Sequence, residues 1–105
     1  MPSYKAPVAD TLFILNEIVG LERLTNNPGF AAASSDIVQA ILEEGGKFAS
    51  EVLNPLNAVG DQHGCKRNDD GTVTTPPGFQ EAFDQFVAGG WTTLHAPEEF
   101  GGQGL

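Results

Sequence analysis

Basic residues are scarce in this sequence, and the few present are scattered. Five Lys and Arg stand against 14 Asp and Glu, a formal net charge of −9 over 105 residues. Lys5, Arg23, Lys47, Lys66 and Arg67 form no stripe. Binding to a phosphate backbone needs clustered cations, so nucleic acid is not an expected partner. An anionic membrane surface is excluded on the same ground. The acidity argues for solubility. Cysteine is nearly absent. Cys65 is alone and cannot close an internal disulfide, which fits a reducing compartment. Long hydrophobic runs are missing as well, the longest being four residues, as in Leu12–Leu15. That predicts no transmembrane or secretory segment, and a cytoplasmic location is expected.

What is present is a set of helical periods separated by glycine and proline. The 13 glycines and seven prolines cluster, which separates elements rather than dissolving them. At this length one domain is expected. The first period is ADTLFILNEIVGLERL. Leu12, Leu15 and Val19 repeat at helical spacing, with Asp10 as the expected N-cap and Gly20 as a possible end. TNNPGF over residues 25–30 breaks the chain. The second period, SSDIVQAILEEGGKFASEVLNPLNAVG, is the strongest. Ser34 or Ser35 caps it, and Asp36 suits the positive end of the helix dipole. Ile37, Ile41, Phe48, Val52, Leu56 and Val59 make one apolar row, and Val38, Leu42, Ala49 and Leu53 a second. Two features resist this helix. Gly45 and Gly46 cost about 1 kcal/mol each relative to alanine. Pro55 clashes with the carbonyl of Glu51 and predicts a kink, not a stop, because the apolar rows continue past it. The third period, PPGFQEAFDQFVAGG, carries Phe79, Phe83, Phe86 and Val87 on one face. Thr75 is its expected cap, with a proline in the first turn and Gly89 or Gly90 at the end. Between the second and third periods, Asp70-Gly71 signals a type I′ hairpin turn.

The fold expected from these patterns is all-α: a small bundle of about three helices, the second long and kinked, with a short hairpin-like loop. On that reading the phenylalanine stripe and Trp91 are core, the indole N–H hydrogen-bonded. Truncating Phe83 to alanine would then cost about 3–5 kcal/mol. The stripes also exceed what three helices can cover, which predicts a homo-oligomer.

No catalytic constellation follows from the residues. His63 and Cys65 form H-x-C, but nothing completes the four ligands of a zinc site. Asn68-Asp69-Asp70-Gly71 resembles part of a calcium loop, yet aligning Gly71 with the loop glycine puts Lys66 first and Pro77 at the glutamate position. Glu98 and Glu99 are adjacent carboxylates in a turn, where solvation is the expected state. Gly101-Gly102-Gln103-Gly104 follows no strand, so it is no dinucleotide fingerprint. No catalytic, cofactor-binding or metal residue is therefore assigned to this chain.

Several residues nevertheless fall in a familiar order. Lys47-Phe48-Ala49 precedes Glu51, then Pro55 within the helix, then Asp61. Pro77 starts the next helix, Gly90 closes it, and Pro97-Glu98-Glu99-Phe100-Gly101-Gly102 follows, with Gly104-Leu105 behind. In this the chain resembles the N-terminal helical region of acyl-CoA dehydrogenases, in the subgroup with an extra N-terminal segment. P-E-E-[YF]-G-G-x-G is the most specific part, and the resemblance covers nearly all of the sequence. It implies residues 1–33 as the added helix and loop, and residues 34–105 as the start of the helical domain. It also implies a longer protein that binds FAD and oxidises the α and β carbons of an acyl-CoA thioester in fatty acid metabolism, passing electrons to an acceptor. The base and the flavin contacts would lie beyond Leu105, in a chain expected to continue into the next helix of the same domain. The 105 residues alone are expected to be inactive and free of FAD. The other reading is a self-standing helical interaction module.

Overall fold

The computed structural model describes residues 3–105; residues 1 and 2 of the added segment lie outside them. The chain is mostly helical, with one small hairpin. Helix α1 (Val8–Phe13) runs into a π-helical stretch, Ile14–Val19, and ends at Gly20, whose left-handed backbone (φ 74°) turns the chain into α2 (Leu21–Leu24). The N-cap of α1 is Pro7, not Asp10. The Pro7 carbonyl accepts from both the amide and the hydroxyl of Thr11 (3.0 and 2.8 Å), which starts the helix ahead of the aspartate.

Helix α3 (Ser35–Phe48) is capped by Ser34, whose Oγ accepts from the Ile37 amide. A π-helical turn (Ala49–Leu53) then leads into α4 (Asn54–His63), so the helical path continues through Pro55. The wide turn is the physical answer to the proline. Pro55 has no N–H, and its ring crowds the carbonyl one turn back; widening that turn gives the carbonyl room. Helix α5 (Phe79–Ala88) follows a Pro76-Pro77-Gly78-Phe79 turn, with Gly78 at φ 85°, ψ −12° and the Phe79 amide bonded to the Pro76 carbonyl. Those angles fit the third residue of a type II turn, with Pro77 fixing the second. That turn, not Thr75, begins the helix.

Strands β1 (Lys66–Arg67) and β2 (Val73–Thr74) pair antiparallel, Lys66 with Thr74 and Arg67 with Val73. The turn between them is not type I′. That type needs positive φ at both central residues, and among the described residues only glycines have positive φ. Instead the Gly71 amide bonds Asn68 O (3.0 Å), with Asp69 and Asp70 between them and Gly71 at φ 87°. This is a type I turn followed by a left-handed glycine. Asp70 holds it, its Oδ1 accepting from both the amide and the hydroxyl of Thr72 (2.9 and 2.6 Å).

Very little of this architecture is enclosed. Among the described residues the buried apolar side chains are Leu21, Ala33, Pro76 and Ala82. Phe83 is 58% exposed, so the stripe on α5 is only partly core. Phe86 is the member turned inward, 6.2 Å from the ring of Phe48 on α3. The radius of gyration is 17.6 Å, where a compact chain of this length would have about 13 Å. The molecule is a slab 55 × 36 × 17 Å, thin enough for two layers of helix at most. Its accessible surface is 7694 Å², against about 5,700 Å² for a compact monomer of this size.

Two expectations follow for the chain in its monomeric range. Phe83→Ala shifts stability by no more than about 0.5 kcal/mol, the usual range for a surface change, whereas Ala82→Leu costs about 1–3 kcal/mol by overpacking. Thermal unfolding by circular dichroism checks both. The hairpin has its own signature. Hydrogen bonds from the Thr72 hydroxyl and then the Thr72 amide hold the Asp70 carboxyl below the ordinary aspartate range. A depressed carboxylate gives support that is complete above the unfolded value and is lost as pH falls through the folded one. NMR titration will place the Asp70 midpoint below that of an aspartate in an unstructured peptide, and Thr72→Val will raise it.

Candidate functional site

The best-built local structure is the glycine-rich tail. After α5, turns of 3₁₀ type at Trp91–Thr93 and Glu98–Phe100 lead to Gly101. From there the chain folds back on itself. The Gly102 amide bonds Pro97 O (3.1 Å), the Gly104 amide bonds Ala96 O (2.9 Å) and the Leu105 amide bonds Leu94 O (3.2 Å). Gly102 is buried and has no room for a side chain, because a Cβ there would overlap the Ala96 carbonyl. The glycines thus let the loop close upon its own Ala96-Pro97 corner.

That geometry decides what the loop can bind. A glycine loop that cradles phosphate must leave its amides free. Here the amides of Gly101, Gly102, Gly104 and Leu105 are all donated internally, that of Gly101 to Glu98 O (2.9 Å). The residues present therefore do not fit a flavin pyrophosphate. Glu98 and Glu99 are exposed, as a solvated pair should be, and Phe100 is 74% exposed beside them.

The tail meets α3 at a feature the sequence showed only as an anomaly. A Cβ on Gly45 would lie 3.3 Å from the Trp91 ring, and one on Gly46 would lie 2.9 Å from Ala6 Cβ and 3.1 Å from Val8 Cγ2. The two glycines form a notch between the N-terminal segment and Trp91. A cleft of about 420 Å³ lies there, lined among others by Tyr4, Val8, Ile41, Trp91 and Leu94. It carries no carboxylate, imidazole or thiol, so it offers apolar contact and no acid–base chemistry. Trp91 is half-buried, and a Cβ on Gly89 would lie 2.8 Å from its indole Nε1. Adjacent glycines inside a helical period, with one tryptophan further on, were the available signal.

The remaining candidates stay apart. His63 ends α4, its Nδ1 3.0 Å from Val59 O. Cys65 is exposed just beyond. Asp69 and Asp70 sit in the hairpin turn, and no group of three or more metal-ligating side chains forms among the described residues.

No family model matches the chain. Its similarity is to an acyl-CoA dehydrogenase, as the order of residues from Lys47 to Leu105 suggested. The relative is the 3-methylmercaptopropionyl-CoA dehydrogenase of Ruegeria pomeroyi, 37% identical over 103 residues. The match covers 98% of this chain, and the chain spans 17% of that relative's length.

Gly102→Ala is expected to open the loop at a cost of about 1–3 kcal/mol, since the obstacle is backbone and cannot swing aside. Hydrogen exchange will show it as lost protection at the Gly104 and Leu105 amides, with α3 unchanged.

Proposed function

We propose that this chain is the N-terminal helical portion of a flavin-dependent acyl-CoA dehydrogenase. Residues 1–33 are its added segment and residues 34–105 the start of its helical domain. The observation that carries the reading is the 37% identity running through 98% of the chain. The open slab supports it, because about 2,000 Å² of surface beyond a compact monomer's is what a helical layer of a larger body exposes when seen alone. In the whole protein FAD serves as hydride acceptor for α,β-dehydrogenation of an acyl-CoA thioester, and an electron acceptor reoxidises it. The location is the cytoplasm. No helix among the described residues is long and apolar enough to cross a membrane.

Within that protein the chain's own residues are structural. The tail loop holds its own corner and the notch on α3 seats Trp91. None is assigned a step in the reaction. A self-standing helical interaction module is the second reading, favoured by the exposed apolar side chains of Leu53 just before α4 and of Phe79, Phe83 and Val87 on α5.

The test is to express the complete reading frame that contains these residues. A flavin absorption spectrum and acyl-CoA-dependent reduction of a dye are expected from it. The 105-residue chain purified alone is expected to be colourless and inactive. A full frame without flavin, or stoichiometric flavin on the 105 residues, overturns the enzyme reading.

A further inference from the structure

Asp70-Gly71 is the one place in the sequence where an aspartate or asparagine precedes a glycine. Such a pair can react with itself. The nitrogen of the following amide attacks the aspartyl Cγ, and glycine hinders that approach least because it has no Cβ. A new C–N bond forms and the C–OH bond of the neutral carboxyl breaks. The hydroxyl leaves as water with the amide proton, and a succinimide ring closes. Water then reopens the ring. Opening at the Cα carbonyl routes the main chain through Cγ and gives isoaspartate, with mass and charge unchanged and nothing oxidised or reduced.

Both reacting residues are exposed, and a Cβ on Gly71 would meet nothing within 4 Å, so water reaches them freely. Yet both reacting groups are held. The Gly71 amide donates to Asn68 O (3.0 Å). Asp70 Oδ1 accepts from the Thr72 amide and hydroxyl (2.9 and 2.6 Å). Those bonds favour the carboxylate, which is a poor electrophile. Thr72 also grips the other partner, its Oγ1 accepting from Asn68 Nδ2 (3.0 Å) and its carbonyl from the Asn68 amide (2.8 Å). One side chain thus fastens the carboxyl and the residue that occupies the Gly71 amide.

We propose that Asp70 is a site of spontaneous isoaspartate formation, and that Thr72 suppresses the reaction while the hairpin is closed. The product carries an extra main-chain carbon between Asp70 and Gly71. The pairing of Lys66 with Thr74 and Arg67 with Val73 cannot absorb it, so the hairpin does not close again. This goes beyond the enzyme reading and does not depend on it.

The test is incubation of the 105-residue chain at neutral pH, folded and in guanidinium, with peptide mapping that locates isoaspartate. Residue 70 is expected to convert first in the denatured chain. In the folded chain it converts slower by about fivefold or more, since one net hydrogen bond shifts an equilibrium by roughly that factor. Thr72→Val is expected to raise the folded-state rate about fivefold and to leave the denatured rate unchanged. Thr72→Ser keeps the hydroxyl and holds the original rate. Helical circular dichroism of each variant separates an opened hairpin from a lost fold. Equal rates in the folded and denatured chains overturn the proposal. So does a Thr72→Val chain that converts no faster than the original, or isoaspartate that arises first at another residue.

Discussion

The close approach at Gly45 and Gly46 governs how the pieces of this chain meet. Helix α3 is the longest α-helix among the described residues, and the N-terminal segment and the tail both return to its last turn. The N-terminal segment arrives through Ala6 and Val8, and the tail arrives through Trp91. A Cβ at Gly46 would push the N-terminal segment away, and one at Gly45 would need the Trp91 ring to give by a few tenths of an ångström. The helix loses about 1 kcal/mol per glycine in intrinsic propensity, and the cost is offset by contacts the rest of the chain makes there. The segment it seats has little else to hold it. The backbone bonds of Ala6 and Pro7 are local, from Val8 to Ala6 and from Thr11 to Pro7, so van der Waals contact at the notch fixes its position.

The same logic recurs further along. Gly60 in α4 leaves space for the Phe79 ring, and the wide turn before Pro55 lets one helical path run from Ser35 to His63. Along this path the apolar rows present their edge to α5, where Phe48 meets Phe86. The energetic result is a set of good pairwise seats without a shared interior. Helical hydrogen bonds satisfy the backbone throughout, but side-chain burial stays shallow. Local structure is therefore well specified while global closure is not.

That division explains what was legible from the residues. The three periods, the Ser34 cap, the passage through Pro55 and the small hairpin all rest on interactions within a few positions in sequence. Periodicity and turn chemistry report those directly. Burial of Phe83 was misjudged because periodicity identifies a face without saying whether anything lies against it. The type I′ assignment failed because the Asp70 side chain bonds Thr72 at negative φ, a competing use of the same Asp-Gly pair. Thr75 lost its capping role to a Pro-Gly turn that starts the helix with backbone alone. At the tail, glycine density announced a tight structure. Its committed amides appear only once the chain is folded, and they separate a loop that grips itself from one that grips a phosphate.

The notch has one more consequence, an optical one. Trp91 is the chain's single tryptophan, and it rests on Gly45 beside the N-terminal segment, three residues beyond the end of α5. Its emission is consequently a local gauge of one junction. Light from that indole reports whether the N-terminal segment and the tail are seated on α3.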